Sequence, residues 1–579
     1  MEILELLCGL ALFLYGMNVM GDSLKKSAGS SLKTILGKMT SSPVKGFLLG
    51  LGVTAIIQSS SATTVMVVGF VNSGTMTLLQ AVGVIMGANV GTAVTSWLTG
   101  LSGAGDVLGL LKPDSWIPFV AVIGICLIMF VERGRKKEIG FILIGFAVLM
   151  VGMDMMSGAV SGLKNDPNFA SILTMFNNPI LGVIAGAALT AIVQSSSASV
   201  GILQSLTTTG AITFGAAIPI ILGQNIGTCV TAMLSSMSAN KNGKRAALVH
   251  LYFNVIGVVC WLSIYYICWA IFPVVKDFAD GTINMWGIAS VHTIFKVLSV
   301  ALIAPFYKQL EKLAVMTIKD KEDDEEEKSS PLDDRLLATP SIAVERATEV
   351  TGAMAVVSCK ALRNSITVFK EYDQKLAEKV RKQEGKADNY EDSLSSYLIK
   401  ITENDVDEQD SKQITKLLHI IGDFERISDH AVNIVESAEE IADKKIEFSD
   451  EASRELEVLR DAVSEILDLT EQAFIENNVE KAKMVEPLEQ VIDGLKSKIK
   501  KNHIRRLQAN ECTIEHGFIL ADILNNFERV SDHCSNIAEC VIEIFERDLI
   551  DTHKYMREVK RDDLSFEEKY REYKAKYSV

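Results

Sequence analysis

The amino-acid sequence predicts an all-α protein in which a polytopic membrane unit is followed by a soluble helical unit. Three observations predict this class: an uneven distribution of charge, an internally duplicated apolar half, and amphipathic helical periodicity in the other half. Residues 1–310 contain 17 Lys and Arg against 11 Asp and Glu, a net charge of +6. The whole chain has a net charge of −15, which leaves −21 for residues 311–579. A Gly-rich apolar half joined to an acidic half is typical of a membrane protein with a soluble extension.

Two polar words recur in the apolar half at one fixed spacing. "TAIIQSSSAT" (54–63) returns as "TAIVQSSSAS" (190–199), an offset of 136 residues. The same offset relates "GANVGTAVT" (87–95) to "GQNIGTCVT" (223–231). A single ungapped offset over several motifs indicates an internal duplication. It also pairs further residues of the two copies: Gly9 with Gly145, Gly16 with Gly152, and Pro43 with Pro179.

The basic residues predict opposite orientations for the two copies. Lys and Arg cluster near residues 25–45, 133–137, 241–245 and 308–312. The positive-inside rule assigns these four places to the cytoplasm. The first apolar segment therefore enters from outside, whereas its copy leaves from inside. Inverted repeats are typical of secondary transporters, whose substrate sites lie at the interface between the repeats.

The same patterns predict the domain organisation. The first segment has Glu2 and Glu5 instead of a basic start, so we interpret it as a retained membrane helix and not as a cleaved signal peptide. The predicted domains are a membrane domain (1–310, with repeat 1 at about 3–135, repeat 2 at about 139–275 and a further helix at about 284–305), a solvated acidic linker (311–340), a helical domain (341–545) and a charged tail (546–579).

Each Gln-Ser-Ser-Ser word lies between apolar runs too short to cross a membrane, which takes about 20 residues. This predicts a re-entrant hairpin or a broken helix, with the polar residues facing an enclosed site. Hydroxyl and amide oxygens suit Na⁺, while donors and a helix N-terminus suit an oxyanion. The alternative is polar packing between helices. The Asn-Thr words at 89–92 and 225–228 allow the same two interpretations, and we interpret His250 and His292 as structural.

The paired QSSSA[TS] words, each followed 31 residues after its Gln by NxGT, resemble the type II sodium–phosphate cotransporter family in its bacterial form. The resemblance extends over about residues 3–305 and implies phosphate as the transported anion, with Na⁺ as the coupling ion. The substrate and sodium site that it implies consists of Gln58, Ser59, Ser60, Ser61, Gln194, Ser195, Ser196 and Ser197, with Thr63, Ser199, Asn89 and Asn225 as further candidates; the repeated NxGT word adds Thr92 and Thr228.

The acidic half also contains a repeat. "DFERISDHAVNI" (423–434) returns as "NFERVSDHCSNI" (526–537), and a spacing of four places Glu, Asp and Asn on one helix face. Carboxylates one turn apart suit a metal ion, although local pairing with the neighbouring Arg is the alternative. The pattern resembles PhoU domains, regulators of phosphate uptake. The resemblance implies a cytoplasmic module of two three-helix bundles that binds a divalent or transition metal through Glu425, Asp429, Glu528 and Asp532.

The sequence therefore predicts sodium-coupled transport of inorganic phosphate across the cytoplasmic membrane by alternating access, regulated by the helical domain. The alternatives are a membrane-anchored phosphate sensor and a carrier of another oxyanion, such as arsenate or sulfate. The sequence contains no P-loop, Rossmann fingerprint, nucleophile elbow or HExxH, so we expect no enzyme. The expected partners are phosphate, sodium and lipid, not nucleic acid; a homodimer and a regulatory protein partner remain open.

Overall fold

The computed structural model of this chain describes residues 2–38, 42–106, 113–131, 134–161, 175–176, 178–319, 331–404, 406–545 and 564–579. Every regular element among them is a helix, and the only β-type pairing there is an isolated bridge between Thr213 and Thr282. The chain divides into two compact units, Met1–Ser341 and Ile342–Val579. The all-α class predicted from the sequence is confirmed.

The first unit contains two series of apolar helices. The first series consists of α1 (Glu2–Lys38), α2 (Pro43–Ile57), α3 (Ser60–Asn72), α4 (Leu78–Gly91), α5 (Ala93–Gly100) and α6 (Pro113–Phe130). The second consists of α7 (Arg135–Ser161), α8 (Pro179–Val193), α9 (Ser196–Leu206), α10 (Phe214–Gly227), α11 (Cys229–Ser236), α12 (Lys241–Ile271) and α13 (Pro273–Asp280), and it is followed by α14 (Met285–Ile303) and α15 (Tyr307–Thr317).

Among the described residues, six helical segments are long and apolar enough to cross a membrane. Four more apolar helices are too short to do so alone, and they include α2, α3 and α8, which flank the Gln-Ser-Ser-Ser words. Length and composition therefore define a membrane protein whose polar words interrupt its apolar helices. The six long segments are Ile3–Ser27, Leu78–Gly103, Arg135–Ser161, Phe214–Ser236, Lys241–Ile271 and Met285–Thr317.

Helices α2 and α3 form a hairpin. A Cβ atom on Gly83 would lie 2.6 Å from the Pro43 carbonyl oxygen, and one on Gly87 would lie 1.9 Å from that of Phe47, so α2 and α4 touch backbone to backbone. The same separation of 40 residues at both contacts shows that these helices run parallel. Since a short turn joins α3 to α4, α3 runs back along α4. The chain therefore reverses between α2 and α3, as the short apolar runs predict.

Helices α1 and α7 begin the two copies and pack against each other through glycines. A Cβ on Gly9 would lie 2.9 Å from the Gly152 carbonyl oxygen, and one on Gly16 would lie 2.5 Å from that of Gly145. As the residue number increases along α1 from Gly9 to Gly16, the number of the contacted residue in α7 decreases from 152 to 145. The two helices are therefore antiparallel. Each glycine contacts the duplicate of the other glycine in its own helix, as expected for two copies related by a twofold pseudo-symmetry axis.

A segment after the acidic run, residues 331–338, packs onto the first unit; we name it the strap. The Leu336 side chain is fully buried, and its Cδ2 would lie 3.1 Å from a Cβ on Gly69 of α3. Asn72, at the end of α3, donates to Asp333 (2.5 Å) and accepts from the Asn240 backbone (2.6 Å). The expectation of a solvated linker at 311–340 is wrong for these residues, because Leu336 is buried and Asp333 is both buried and hydrogen-bonded to Asn72. It is also wrong for residues 311–317, which belong to α15. Residues 320–330 lie outside the described part of the chain.

The second unit is a set of long amphipathic helices. Its core is aliphatic and aromatic, as at Leu417, Phe424, Ile466 and Phe527, which are all fully buried. The tail predicted at 546–579 lies partly outside the described residues and ends in a helix. The elements are α16 (Pro340–Lys370), α17 (Gln374–Thr402), α18 (Glu408–Lys444), α19 (Asp450–Ile475), α20 (Val479–Ala482), α21 (Val485–Gln508), α22 (Ile514–Phe545) and α23 (Leu564–Lys576).

Candidate functional site

The two Gln-Ser-Ser-Ser words have the same backbone geometry. Gln58 ends α2 with φ 58° and ψ 20°, and Gln194 ends α8 with φ 55° and ψ 20°, both in the left-handed region. The next serine caps the following helix: Ser59 accepts from the Ala62 N–H and Ser195 from the Ala198 N–H, each at 3.2 Å. A non-glycine residue in this region costs on the order of 1 kcal/mol or more. Both copies contain this strain at the same place.

The two words line a single cavity of about 320 Å³. The third wall is one face of α1, which the sequence patterns did not single out. All eight of the Gln and Ser residues predicted from the two words are therefore brought together. The cavity lining consists of Leu14, Met17, Asn18, Gly21, Asp22 and Lys25 of α1, Ile57, Gln58, Ser59, Ser60, Ser61 and Ala62 of the first copy, and Val193, Gln194, Ser195, Ser196 and Ser197 of the second.

The two glutamines differ in their hydrogen bonds. Gln58 is 6% exposed, its Oε1 accepts from the Thr95 hydroxyl at 2.8 Å, and its amide donates to the Ala55 carbonyl. The Gln194 side chain is exposed towards the cavity. One glutamine is thus fixed by protein partners while its duplicate is accessible to a ligand.

The remaining predicted residues lie behind the cavity wall. Asn89 and Asn225 donate to the carbonyls of Ile85 and Ile221 in their own helices, at 3.0 and 2.8 Å. Thr92 and Thr228 likewise donate to carbonyls four residues earlier in the chain. These residues, together with Thr63 and Ser199, are buried and line no part of the cavity. The structure therefore separates the Gln-Ser-Ser-Ser residues, which face the cavity, from a polar layer around it.

In that layer, the second copy contains buried oxygens without partners. Thr190 Oγ1, Ser199 Oγ and Gln224 Oε1 are buried and form no hydrogen bond, although the Gln224 amide donates to the Ser199 carbonyl at 3.0 Å. In the first copy, the equivalent Thr54 and Thr63 hydroxyls bond to each other at 3.0 Å. An unpartnered buried oxygen costs about 1–3 kcal/mol unless a ligand satisfies it. Gln224 replaces the alanine of the first GxNxGT word, and this difference was the available sequence signal.

The electrostatics of the cavity favour an anion. Helices α3 and α9 both begin at its serines, so the positive ends of two helix dipoles face it. Lys25 and Asp22 also line the cavity, but the Lys25 Nζ lies 2.9 Å from the Asp22 carboxylate, so this ion pair adds no net charge. Backbone N–H groups at helix N-termini are recurrent anion ligands. The combination suits an oxyanion bound next to hydroxyl groups.

The second unit holds clustered carboxylates. Burial and the neighbouring Asp429 raise the pKa of Glu425 from its ordinary value of 4.5 to about 7. On α22, burial and the nearby Glu528 raise the pKa of Asp532. Glu528 itself is paired, with its Oε2 2.7 Å from Lys496 Nζ. Repulsion between half-buried carboxylates is the condition that a bound cation would relieve.

Three carboxylates lie close enough to share one metal ion. Glu489, Asp493 and Asp532 have ligand oxygens within 4.8 Å of one another. Of the four predicted metal ligands, Asp532 alone belongs to this group. The missed residues, Glu489 and Asp493, have the E-x-x-x-D spacing that also occurs at Glu384 and Asp388, so the sequence did contain their signal. Three carboxylate oxygens suit a hard divalent cation.

A membrane unit of duplicated broken helices with a shared polar cavity defines a secondary-transporter class of protein. A profile of the Na⁺/Pi-cotransporter family matches residues 12–158 and 161–269, and a PhoU domain profile matches residues 352–438 and 456–541. This chain belongs to the Na⁺/Pi-cotransporter family and contains a PhoU domain. The resemblance inferred from the motifs is confirmed.

Individual relatives extend this assignment. The chain is 24% identical over 557 residues to the "Putative inorganic phosphate export protein YjbB" of Escherichia coli K12, covering 94% of this chain and 98% of that protein. It is 33% identical over 258 residues to YqeW of Bacillus subtilis, covering 42% and 77% of the two chains. It is 23% identical over 380 residues to mouse sodium-dependent phosphate transport protein 2A, covering 44% of this chain and 60% of that protein.

Proposed function

We propose that this protein transports inorganic phosphate across the cytoplasmic membrane, coupled to Na⁺, by alternating access of the cavity between its two repeats. The observation that carries this proposal is the meeting of both Gln-Ser-Ser-Ser turns in one cavity. A site built from both copies changes its access when the copies move relative to each other. The antiparallel packing of α1 and α7 supports the inverted arrangement that such movement requires.

Phosphate fits the chemistry of the cavity. The α3 and α9 N-termini supply backbone N–H groups, and Ser60, Ser61, Ser196 and Ser197 supply hydroxyl donors. Binding through N–H groups and hydroxyls compensates the charge of the anion without burying a lysine beside it. The exposed Gln194 amide adds a donor that can close on the bound anion.

Sodium fits the oxygen-rich layer of the second copy. Thr190, Ser199 and Gln224 offer three buried oxygens without protein partners. Hydroxyl and amide carbonyl oxygens are suitable ligands for a hard monovalent cation, and carbonyls freed at the end of α8 lie next to them. A cation bound there would lie immediately behind Ser195–Ser197 and favour the anion electrostatically.

The cavity extends from the two turns along α1 to Asp22 and Lys25. Under the positive-inside rule, the Lys25 end is cytoplasmic, and so is the helical domain. The arrangement described is then a state open to the cytoplasm. Alternating access allows either direction of net flux, which the gradients of Na⁺ and phosphate determine.

The test is uptake of labelled phosphate by liposomes containing the full chain. Flux should require an inward Na⁺ gradient and disappear in both Gln58→Ala and Gln194→Ala, because Gln58 fixes the first turn and Gln194 supplies a donor to the anion. Gln309→Ala, at an exposed position of α15, is the matched control and should transport normally. Equal flux in choline would refute the coupling, and phosphate binding without flux would identify a sensor.

We also propose that the PhoU domain regulates transport and binds a divalent metal at Glu489, Asp493 and Asp532. The support for metal binding is the proximity of these three carboxylates. Calorimetric titration of the full chain with Mn²⁺ should lose a binding event in Asp532→Asn, and keep it in Asp522→Asn, an exposed position on the same helix. Identical titrations for the two variants would contradict the assignment.

A further inference from the structure

A second pair of related words occurs in helices α12 and α14. "VHLYFNVIGV" (249–258) and "VHTIFKVLSV" (291–300) share Val, His and Phe at equal positions, 42 residues apart. His, Phe and the next residue fall at i, i+3 and i+4, on one helix face. The words differ where α12 has Asn254 and α14 has Lys296. A cation thus replaces an amide on otherwise similar faces.

The two faces are buried against each other. His250 and His292 are 0% and 1% exposed, and Lys296 is 3% exposed. A Cβ on Gly257 would lie 2.9 Å from Ser299 Oγ, so α12 and α14 approach closely beside the lysine. An ionisable side chain inside a membrane-spanning region is costly, and such residues usually have a function.

The buried cluster of His250, His292 and Lys296, which we name the centre, adjoins the candidate transport site in both copies. His292 Nδ1 lies 2.7 Å from Ser96 Oγ, and Ser96 follows Thr95, whose hydroxyl bonds to Gln58. On the other side, Cys229 Sγ contacts the carbonyls of Asn225 and His250, each at 3.6 Å. Helix α14 also packs against α4 and α5 of the first copy and α9 and α10 of the second. Movement of either copy would therefore change the surroundings of Lys296.

The centre has unpartnered polar atoms and lacks an acid. Both ring nitrogens of His250 and the Ser299 hydroxyl are buried without a hydrogen bond. The titratable groups near enough to interact with the Lys296 charge are Cys229 on α11, His250 on α12 and His292 on α14, and no carboxylate pairs with Lys296 among the described residues. A buried ammonium group without an anion is stable only where water or a polar ligand reaches it.

We propose that Lys296 is a proton-binding site of the membrane unit, whose occupancy depends on the conformation of the two copies. The amine binds one proton when water reaches the centre and releases it to water when the surrounding helices close. The unpartnered His250 ring and Ser299 hydroxyl solvate the ammonium form. The link to conformation rests on the proposed transport function, whereas proton binding at Lys296 does not.

The direct test is solid-state NMR of the full chain in liposomes with ¹⁵N-labelled lysine, which distinguishes amine from ammonium nitrogen. One lysine signal should change from ammonium to amine as the pH is raised from about 6 to about 9, a range in which exposed lysines stay charged because their ordinary pKa is near 10.4. Lys296→Asn, which introduces the residue found at the equivalent position 254 of α12, should lose this signal. Lys312→Asn, at an exposed position on α15, should keep it. Ammonium signals from every lysine throughout this range would overturn the proposal.

The second test measures phosphate flux against pH. Wild-type flux should change with pH by up to about tenfold per pH unit, the limit for one proton. Lys296→Asn and Lys296→Arg should each flatten the pH profile of the flux. Asparagine carries no charge and arginine keeps its charge at every pH tested, so neither side chain titrates. A titrating signal without pH-dependent flux would retain the proton site and refute its link to transport. An unchanged profile in both folded variants, together with the absence of that signal, would refute both claims.

Discussion

Single polar atoms in apolar surroundings define the roles of individual residues in this protein. The Gln58 side chain has protein partners for both its oxygen and its amide, so it fixes the turn. Gln224 has a partner only for its amide, so its oxygen is available to a ligand. Two residues of the same type, both buried, therefore take different parts in the proposed transport, because their hydrogen bonds differ.

The raised pKa of Glu425 predicts that the stability of the second unit depends on pH. Its pKa is raised from 4.5 to about 7, chiefly by burial, so the folded state binds a proton more tightly than the unfolded state. The stability that this proton provides is present below about pH 4.5 and is lost as the pH rises to about 7. Thermal unfolding of Glu425→Gln should lack this loss between the two pH values, whereas wild type should show it. Parallel profiles for the two proteins would contradict the prediction.

Helix packing in the membrane unit depends on glycines at which two backbones meet. In α2, a Cβ on Gly50 would lie 2.0 Å from the Val84 carbonyl oxygen, whereas one on Gly52 would meet nothing within 4 Å. Position 50 therefore has no room for a side chain, whereas position 52 of the same helix has. The parallel contact between α2 and α4 holds the Gln58 turn in position.

These two glycines form a matched pair of substitutions. Gly50→Ala should separate α2 from α4 and destabilise the membrane unit by about 1–3 kcal/mol or more, as overpacking does. Gly52→Ala should be neutral or stabilising by up to about 1 kcal/mol, the difference in helix propensity. Thermal unfolding of the full chain in nanodiscs measures both effects. Equal melting temperatures for the two variants would show that the contact does not matter.

The strap joins helices of both copies in the arrangement described. Arg335 donates to the Ser235 carbonyl at 2.9 Å, while Asp333 and Leu336 contact α3. Leu336→Ala removes a fully buried side chain, at a cost of about 2–5 kcal/mol. This cost falls on the arrangement in which the cavity is open along α1, so its population should decrease.

Labelling of a cysteine in the cavity measures that population. With Asn18→Cys as the reporter, maleimide labelling should slow by about tenfold or more when Leu336→Ala is added, since about 1.4 kcal/mol changes an equilibrium tenfold. Leu313→Ala, a partly exposed leucine on α15, is the control. Unchanged or faster labelling in the strap variant would contradict this role.

At the scale of the whole molecule, the cavity and the strap belong to the first unit alone. Every residue that lines the cavity precedes residue 198, and the strap ends at residue 338. A chain truncated after Ser341 should therefore retain Na⁺-dependent phosphate flux if it inserts, while any control by the second unit disappears. Comparison of flux per inserted protein between full and truncated chains tests this, and loss of phosphate binding in a monodisperse truncated protein would contradict it.

Duplication explains how much of this molecule the sequence predicts. The Gln58 and Gln194 turns were predictable because each occurs twice at one offset and interrupts an apolar run. Asn18 and Lys25 were not, because a single polar residue on a long helix has no periodic signature and its neighbours depend on tertiary packing. The strap was mistaken for a linker, since three leucines next to an acidic run indicate no structure until the surface on which they dock exists.

The glycine contacts between α1 and α7 have a consequence for biogenesis. Gly16 precedes its partner Gly145 by 129 residues, so α1 leaves the ribosome long before α7 does. At roughly 5–20 residues per second, about 6–26 seconds separate the synthesis of the two contact points. During that interval the glycine face of α1 has no partner, and the insertion machinery or surrounding lipid must cover it. Completion of the first copy therefore waits for translation of the second.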